Sequence, residues 1–287
     1  MLTNLALILF LAFGDAPAQA PRSVAERVVT INFKSQALAG QERYLVWLPP
    51  GYRKDGKDIQ RVDYPVVVLL HGLGGEGADW FDPKLGDLGA TLDKLISDGR
   101  IAPFIAVAPD GGNGYWTDHL GAPRERYGAF IDEVLANAEK RFDIAEDRAA
   151  IVGVSMGGHG AMSRALMAPD RYRAVVSLSG ALFGEPPTHR PIYKKVWGFP
   201  ADRVHWDATA PMAIAQRLAS DAKLPAIFLA CGREDLDRFL DLNTEASRIL
   251  TARGIQHELL LVEGGHSWTT WRTLAERWLT WLAPRLR

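Results

Sequence analysis

The chain holds one cysteine in 287 residues, Cys231, which excludes an internal disulfide and any cysteine-built metal cluster. It also lacks H-E-x-x-H, a close histidine pair and a cluster of carboxylates, so no metal is expected. No G-x-G-x-x-G opens the first expected helix and no complete G-x-x-x-x-G-K-[ST] loop occurs, so no nucleotide or other cofactor is expected. Excess charge of either sign is missing too: 33 basic against 34 acidic residues leave a net charge of −1. Nothing electrostatic then favours nucleic acid, an anionic membrane or a polyanionic substrate, and a small neutral molecule fits better. The apolar run at residues 5–13 is too short for a bilayer, which needs roughly 20 residues, so no integral membrane association is expected.

What is present begins with that same run. Residues 5–13 are unbroken apolar sequence, followed by Gly14-Asp15 and an alanine-rich stretch with Ala16-Pro17-Ala18 and Ala18-Gln19-Ala20. This is the layout of a secretory signal peptide over residues 1–20, and it implies a secreted or periplasmic protein. Two features depart from the pattern: residues 1–4 carry no Lys or Arg, and Pro21 would follow the cleavage point. The remainder, residues 22–287, has the composition of an ordinary globule, 47% hydrophobic and 23% charged over the whole chain. No repeat or linker interrupts it, and one domain is expected.

Within that domain, residues 27–33 and 42–48 are short β-branched or aromatic runs around Ala39-Gly40, the pattern of an antiparallel pair. Continuous apolar runs follow at 65–70, 104–108, 149–154, 174–178 and 225–230, with a further strand at 258–262. Such runs suit strands buried on both faces. Helical spacing occupies residues 88–96, 127–142, 212–218, 239–250 and 270–282. Alternating strands and helices predict an α/β fold with a mostly parallel central sheet and helices on both faces, chemistry collecting at the C-terminal strand ends. Residues 184–211 show no periodicity and carry several prolines and tryptophans, so they read as an irregular loop folded over the sheet.

The central motif is Gly153-Val154-Ser155-Met156-Gly157, the G-x-S-x-G spacing of a nucleophile elbow between a strand and a helix. A serine hydroxyl is a weak nucleophile, so a histidine must take its proton and an acid must orient that histidine. Five histidines follow Ser155: His159, His189, His205, His257 and His266. His159 is too near, in the first turn of the helix; His189 and His205 lie in the irregular loop; His257 precedes its strand. His266 follows a strand, in Gly264-Gly265-His266-Ser267-Trp268, and is the expected base. Asp235, beyond the strand at 225–230, is the expected acid, with Glu234 and Asp237 as alternatives. The oxyanion donors are expected at the Met156 amide and, within one residue, at the Leu73 amide of His71-Gly72-Leu73-Gly74-Gly75. His71 precedes the serine and is read as orienting that loop.

Taken together, Leu70-His71-Gly72-Leu73-Gly74-Gly75, residues 109–118, the elbow, Cys231-Gly232-Arg233-Glu234-Asp235 and Gly264-Gly265-His266-Ser267-Trp268 resemble an esterase family of α/β hydrolases. That family includes tributyrin-type esterases, feruloyl esterases, S-formylglutathione hydrolases and mycolyltransferases, and the likeness spans most of residues 40–285. The resemblance implies the α/β-hydrolase fold and a serine carboxylesterase acting on a small-molecule ester, with Ser155 as nucleophile, Asp235 as acid and His266 as base. It places Trp116 and Trp268 as pocket walls, with ordinary aromatic packing as the competing assignment. Acyl transfer by the same residues, an S-formylglutathione-type thioesterase and a non-catalytic binding module are the alternatives. The first oxyanion loop is more like the tributyrin and feruloyl members, which lowers the thioesterase reading. Oligomeric state is not specified by the sequence.

Overall fold

A computed structural model of the chain describes residues 23–52, 63–219, 222–236 and 238–287. The expected signal peptide lies outside the described residues. The strands β1 (Val28–Lys34) and β2 (Gln41–Trp47) form the expected antiparallel pair, in register from Val28 opposite Trp47 to Lys34 opposite Gln41. The remaining strands are β3 (Tyr64–Leu70), β4 (Ile105–Pro109), β5 (Ile144–Val154), β6 (Ala174–Leu178), β7 (Ala226–Gly232) and β8 (His257–Val262). They join the pair in one sheet of order β1-β2-β4-β3-β5-β6-β7-β8. Only the β1–β2 and β2–β4 pairings are antiparallel; β4 through β8 run parallel. The register of β3 against β5 shifts between Tyr64 and Val66, where Pro65 has no N–H to give.

The continuous apolar runs are explained by two cores. Val66, Val68 and Leu70 of β3 face one side, with α2 (Tyr127–Arg141), α3 (Met156–Met167), α6 (Pro211–Arg217) and α7 (Phe239–Ala252). Val67 and Leu69 face the other, with α1 (Leu88–Ser97) and α8 (Trp268–Leu282). Alternate residues of one strand thus feed opposite cores. Each fully buried aliphatic or aromatic side chain contributes roughly 1.5–3 kcal/mol. The central strand ends are therefore held rigidly, and the loops leaving them inherit fixed starting points. One of those loops also caps a helix: Asp118 Oδ1 accepts from the Gly128 and Ala129 amides at 2.9 and 3.0 Å, at the N-terminus of α2.

Two expectations need correction. Residues 184–211 are not structureless: they contain α4 (Pro191–Trp197) and α5 (Arg203–Thr209), and α6 starts at Pro211. Both helices have seven residues, too few turns to show helical periodicity, and Pro191 and Pro211 each occupy a first turn, where the missing N–H is harmless. The helix expected at 127–142 stops at Arg141; Phe142 is extended, at φ −127°, and leads directly into a β5 that begins at Ile144. Gly72, Gly74 and Gly77 do satisfy G-x-G-x-x-G, but α1 begins only at Leu88, so these glycines open no α-helix.

Candidate active site

Ser155 stands between β5 and α3 with φ 56° and ψ −116°, a strained conformation for any residue with a Cβ. Its backbone is pinned on both sides: its N–H donates to Leu178 O at 2.8 Å, and its carbonyl accepts from Ala181 N at 3.1 Å. The glycines around it allow the strand and helix to approach. A Cβ on Gly153 would lie 2.0 Å from Gly157 O, and one on Gly157 would lie 2.1 Å from Leu70 O.

His266 and Asp235 reach this serine from the ends of β8 and β7. His266 Nε2 lies 2.8 Å from Ser155 Oγ, and His266 Nδ1 lies 2.7 Å from Asp235 Oδ1. The backbones of the two loops are joined: Arg233 N–H donates to Val262 O at 2.7 Å and Glu234 N–H to Gly264 O at 3.1 Å. Gly264, at φ 113°, turns the chain toward the serine, where a Cβ would be strained. Phe239 and Trp271 flank the imidazole, with ring centroids 4.3 and 5.0 Å away. Asp235 has no solvent exposure at its side chain. Burial alone would raise its pKa, but the hydrogen bond to His266 and the neighbouring Ser179 and Cys231 outweigh it, so the carboxyl is held below its ordinary value. Glu234, one alternative acid, is excluded by this pairing of Asp235 with His266, whereas Asp237 lies outside the described residues.

The turn from Gly72 to Gly75, closed by Gly75 N–H to Gly72 O at 3.1 Å, lies directly beside Ser155. A Cβ on Gly72 would meet Ser155 Cβ at 3.4 Å. His71 organises this turn. Its Nε2 accepts from Gly111 N–H at 3.1 Å, so its proton sits on Nδ1 and is donated to Gly72 O at 2.8 Å. A trans peptide points its C=O and N–H in opposite directions, so fixing Gly72 O also fixes the Leu73 N–H. Asn113 Oδ1 accepts from Gly74 N–H at 2.7 Å and braces the turn from the loop after β4. Met156 is the first residue of α3, and its N–H has no intrahelical acceptor. A hydroxyl beside an imidazole–carboxylate pair, with amides nearby, can carry out nucleophilic attack on an acyl carbon.

Residues 35–278 match the family described as "Putative esterase". The chain belongs to this esterase family of α/β hydrolases. The esterase is 26% identical over 272 residues to an acetyl esterase of Caldicellulosiruptor saccharolyticus, a match spanning 89% of this chain and 98% of that protein. It is 28% identical over 253 residues to an endo-1,4-beta-xylanase/feruloyl esterase of Xylanibacter ruminicola, covering 86% of this chain but 30% of that longer protein. Among solved structures, a ferulic acid esterase superposes with a TM-score of 0.75 at 25% identity, over 90% of this chain and 98% of the other. A fluorophosphonate-binding serine hydrolase of Staphylococcus aureus has a TM-score of 0.76 at 18% identity, over 89% and 98% of the two chains, and shows the shared fold.

The esterase does not bring its other histidines to Ser155 Oγ. His257 Nε2 contacts Ser247 Oγ at 2.7 Å, His205 Nε2 contacts Asp118 O at 2.9 Å, and His189 packs on Tyr193 at 5.1 Å. Trp116 is a correction: it is fully buried, its Nε1 donates to His71 O at 3.1 Å, and its ring lies against His71 at 5.0 Å. It braces His71 and the turn that follows it, and cannot form a pocket wall. Trp268 is half-buried between Trp80 and Trp271, at 5.2 and 5.3 Å, and remains partly open to solvent. Sequence reasoning missed Ser179 and Trp271, because neither falls in a recognisable motif.

His159 carries a separate consequence for stability. It is fully buried against Tyr115 and Trp197, and its Nδ1 lies 3.0 Å from Ala181 O. Burial lowers its pKa from the ordinary 6.5 to about 4, despite that hydrogen bond. Between those two values the unfolded chain holds a proton that the folded esterase refuses, so stability present above pH 6.5 is lost as the pH falls toward 4. The loss from this group is at most about 3 kcal/mol. Urea midpoints measured from pH 7 to 4.5 should fall steeply for wild type and less steeply for His159→Gln. His71, whose pKa burial also lowers, should leave part of the slope in that variant.

Proposed function

We propose that the protein is a serine carboxylesterase that hydrolyses small neutral esters through an acyl-enzyme, with Ser155, His266 and Asp235 as its catalytic triad. The observation that carries this reading is the unbroken hydrogen-bonded chain from Asp235 Oδ1 through His266 to Ser155 Oγ, with links of 2.7 and 2.8 Å. In the proposed reaction Ser155 Oγ attacks the ester carbonyl as His266 Nε2 takes its proton. The Leu73 and Met156 amides hold the resulting oxyanion, each worth about 2.7–4 kcal/mol to the transition state. His266 then returns the proton to the departing alcohol, and a water deprotonated by the same nitrogen releases the acid. Trp268 lines the alcohol or acyl side of this site in the reading.

The names of relatives, an acetyl esterase and feruloyl esterases, suggest both short aliphatic and hydroxycinnamoyl acyl groups for testing. A panel of 4-nitrophenyl esters of increasing chain length, together with methyl hydroxycinnamates, should show a product burst followed by steady hydrolysis. No turnover of any ester in the panel, and no labelling by a fluorophosphonate probe, would overturn the reading. The leader-like residues 1–20 support secretion or export to a periplasm. Among the described residues no helix is long and apolar enough to cross a membrane.

A further inference from the structure

Ser179, the residue after β6, is fully buried and holds φ 47°. A glycine adopts that left-handed conformation freely and a serine does not, although Gly180 is the very next residue. The backbone there is fixed by Ser179 N–H donating to Ala230 O at 2.7 Å, which sets Ser179 beside Cys231 at the sheet's C-terminal edge. Its Oγ accepts from Trp271 Nε1 at 3.0 Å. An indole N–H can only donate, so this bond leaves the serine's own proton free to be given elsewhere.

We propose that Ser179, oriented by Trp271, is a positioning residue that donates its hydroxyl proton to Asp235 and keeps that carboxylate aligned on His266 Nδ1. The proposal rests on reading Ser155, His266 and Asp235 as the triad. Asp235 lies over the end of β7, with Oδ1 taken by His266 Nδ1 and Leu236 N–H, both at 2.7 Å, and Oδ2 approached by Cys231 Sγ at 3.4 Å. A thiol is a weak donor, so Oδ2 needs the stronger hydroxyl. Interaction with Ser179 is among the influences that offset burial and favour the ionised carboxyl. Trp271 serves both partners, since its ring meets the His266 ring edge to face at 5.0 Å and 84°. The titratable groups in contact with the carboxylate are His266 and Cys231, and burial pushes that thiol up to about 12, so it stays protonated.

The test compares wild type with Ser179→Gly, which suits the backbone and deletes the hydroxyl, and Trp271→Phe, which keeps the ring on His266 and deletes the donor. Melting temperatures, kcat and KM for 4-nitrophenyl acetate, the pH profile of kcat/KM and the rate of fluorophosphonate labelling are read for each. Ser179→Gly, in which relief at φ 47° offsets the lost acceptor of the Trp271 N–H, should stay folded and melt within a few degrees of wild type, yet lose about tenfold in kcat with KM within about twofold, the kinetic equivalent of one charge-assisted hydrogen bond. Its acid limb should move to higher pH, because a carboxylate with one donor fewer pulls harder on the His266 proton. Trp271→Phe should shift the same way and by less. An active wild type matched by both variants overturns the proposal alone, as does a loss of kcat with an unmoved pH profile, which marks a merely structural role. A wild type that neither hydrolyses the ester nor takes the label overturns the triad reading and this proposal with it.

Discussion

Ser155→Ala should reduce kcat on a short aryl ester by on the order of 10⁶ and abolish fluorophosphonate labelling, while leaving the protein folded. The size of the loss follows from the way the three side chains act together. Without the hydroxyl, His266 has no proton to take and Asp235 has no imidazolium to stabilise, so one change disables all three. What should persist is a rate over water of about 10³–10⁴, supplied by the backbone donors and by binding. Stability should change little, because alanine also carries a Cβ and keeps the same backbone strain at φ 56°. The fold loses only the 2.8 Å hydrogen bond to His266, worth about 1 kcal/mol. Turnover, labelling and urea midpoint measured on one preparation decide the matter. Retention of even a hundredth of wild-type kcat by Ser155→Ala would remove Ser155 as nucleophile.

Much of this site was legible in the sequence because its parts sit where a parallel sheet must place them. The apolar runs of β3, β5, β7 and β8 each end in a break that carries a chemical side chain or a glycine turn, and the chain order of Ser155, Asp235 and His266 then singled out one histidine of five. What escaped was whatever depends on packing between elements. Ser179 is an ordinary serine after an ordinary strand; its significance comes from a positive φ and from Trp271, which lies 92 residues away. Trp116 in a loop beside the site has the profile of a pocket wall, yet Gly111 and Gly160 leave the space into which its ring sinks beneath His71. Asn113 was visible as part of a loop, but its grip on Gly74 N–H depends on two loops meeting above the sheet. Short helices such as α4 and α5 failed for a different reason, since seven residues give less than two full turns from which a period can be read.

Gly153→Ala should destabilise the protein by about 3 kcal/mol or more and carry the activity down with it. A Cβ at this position would meet Gly157 O at 2.0 Å, Gly157 C at 2.2 Å and Gly158 N at 2.7 Å, all backbone atoms of the first turn of α3. A flexible side chain could swing aside; a helical backbone cannot, so β5 and α3 must separate. That separation would strain the two bonds holding Ser155 in place, Ser155 N–H to Leu178 O and Ala181 N–H to Ser155 O, and Ser155 would lose its position relative to His266. The cost is a large fraction of the roughly 5–15 kcal/mol that keeps a domain folded. Gly74→Ala is the matched control. Gly74 lies in the Gly72–Gly75 turn at φ 78° with nothing within 4 Å of its Cβ position, so the same substitution there meets only the backbone preference, about 1 kcal/mol. Urea midpoints should rank wild type above Gly74→Ala and Gly74→Ala well above Gly153→Ala. If Gly153→Ala instead unfolds at the wild-type midpoint, α3 can shift without cost and the close strand–helix approach does not hold the elbow.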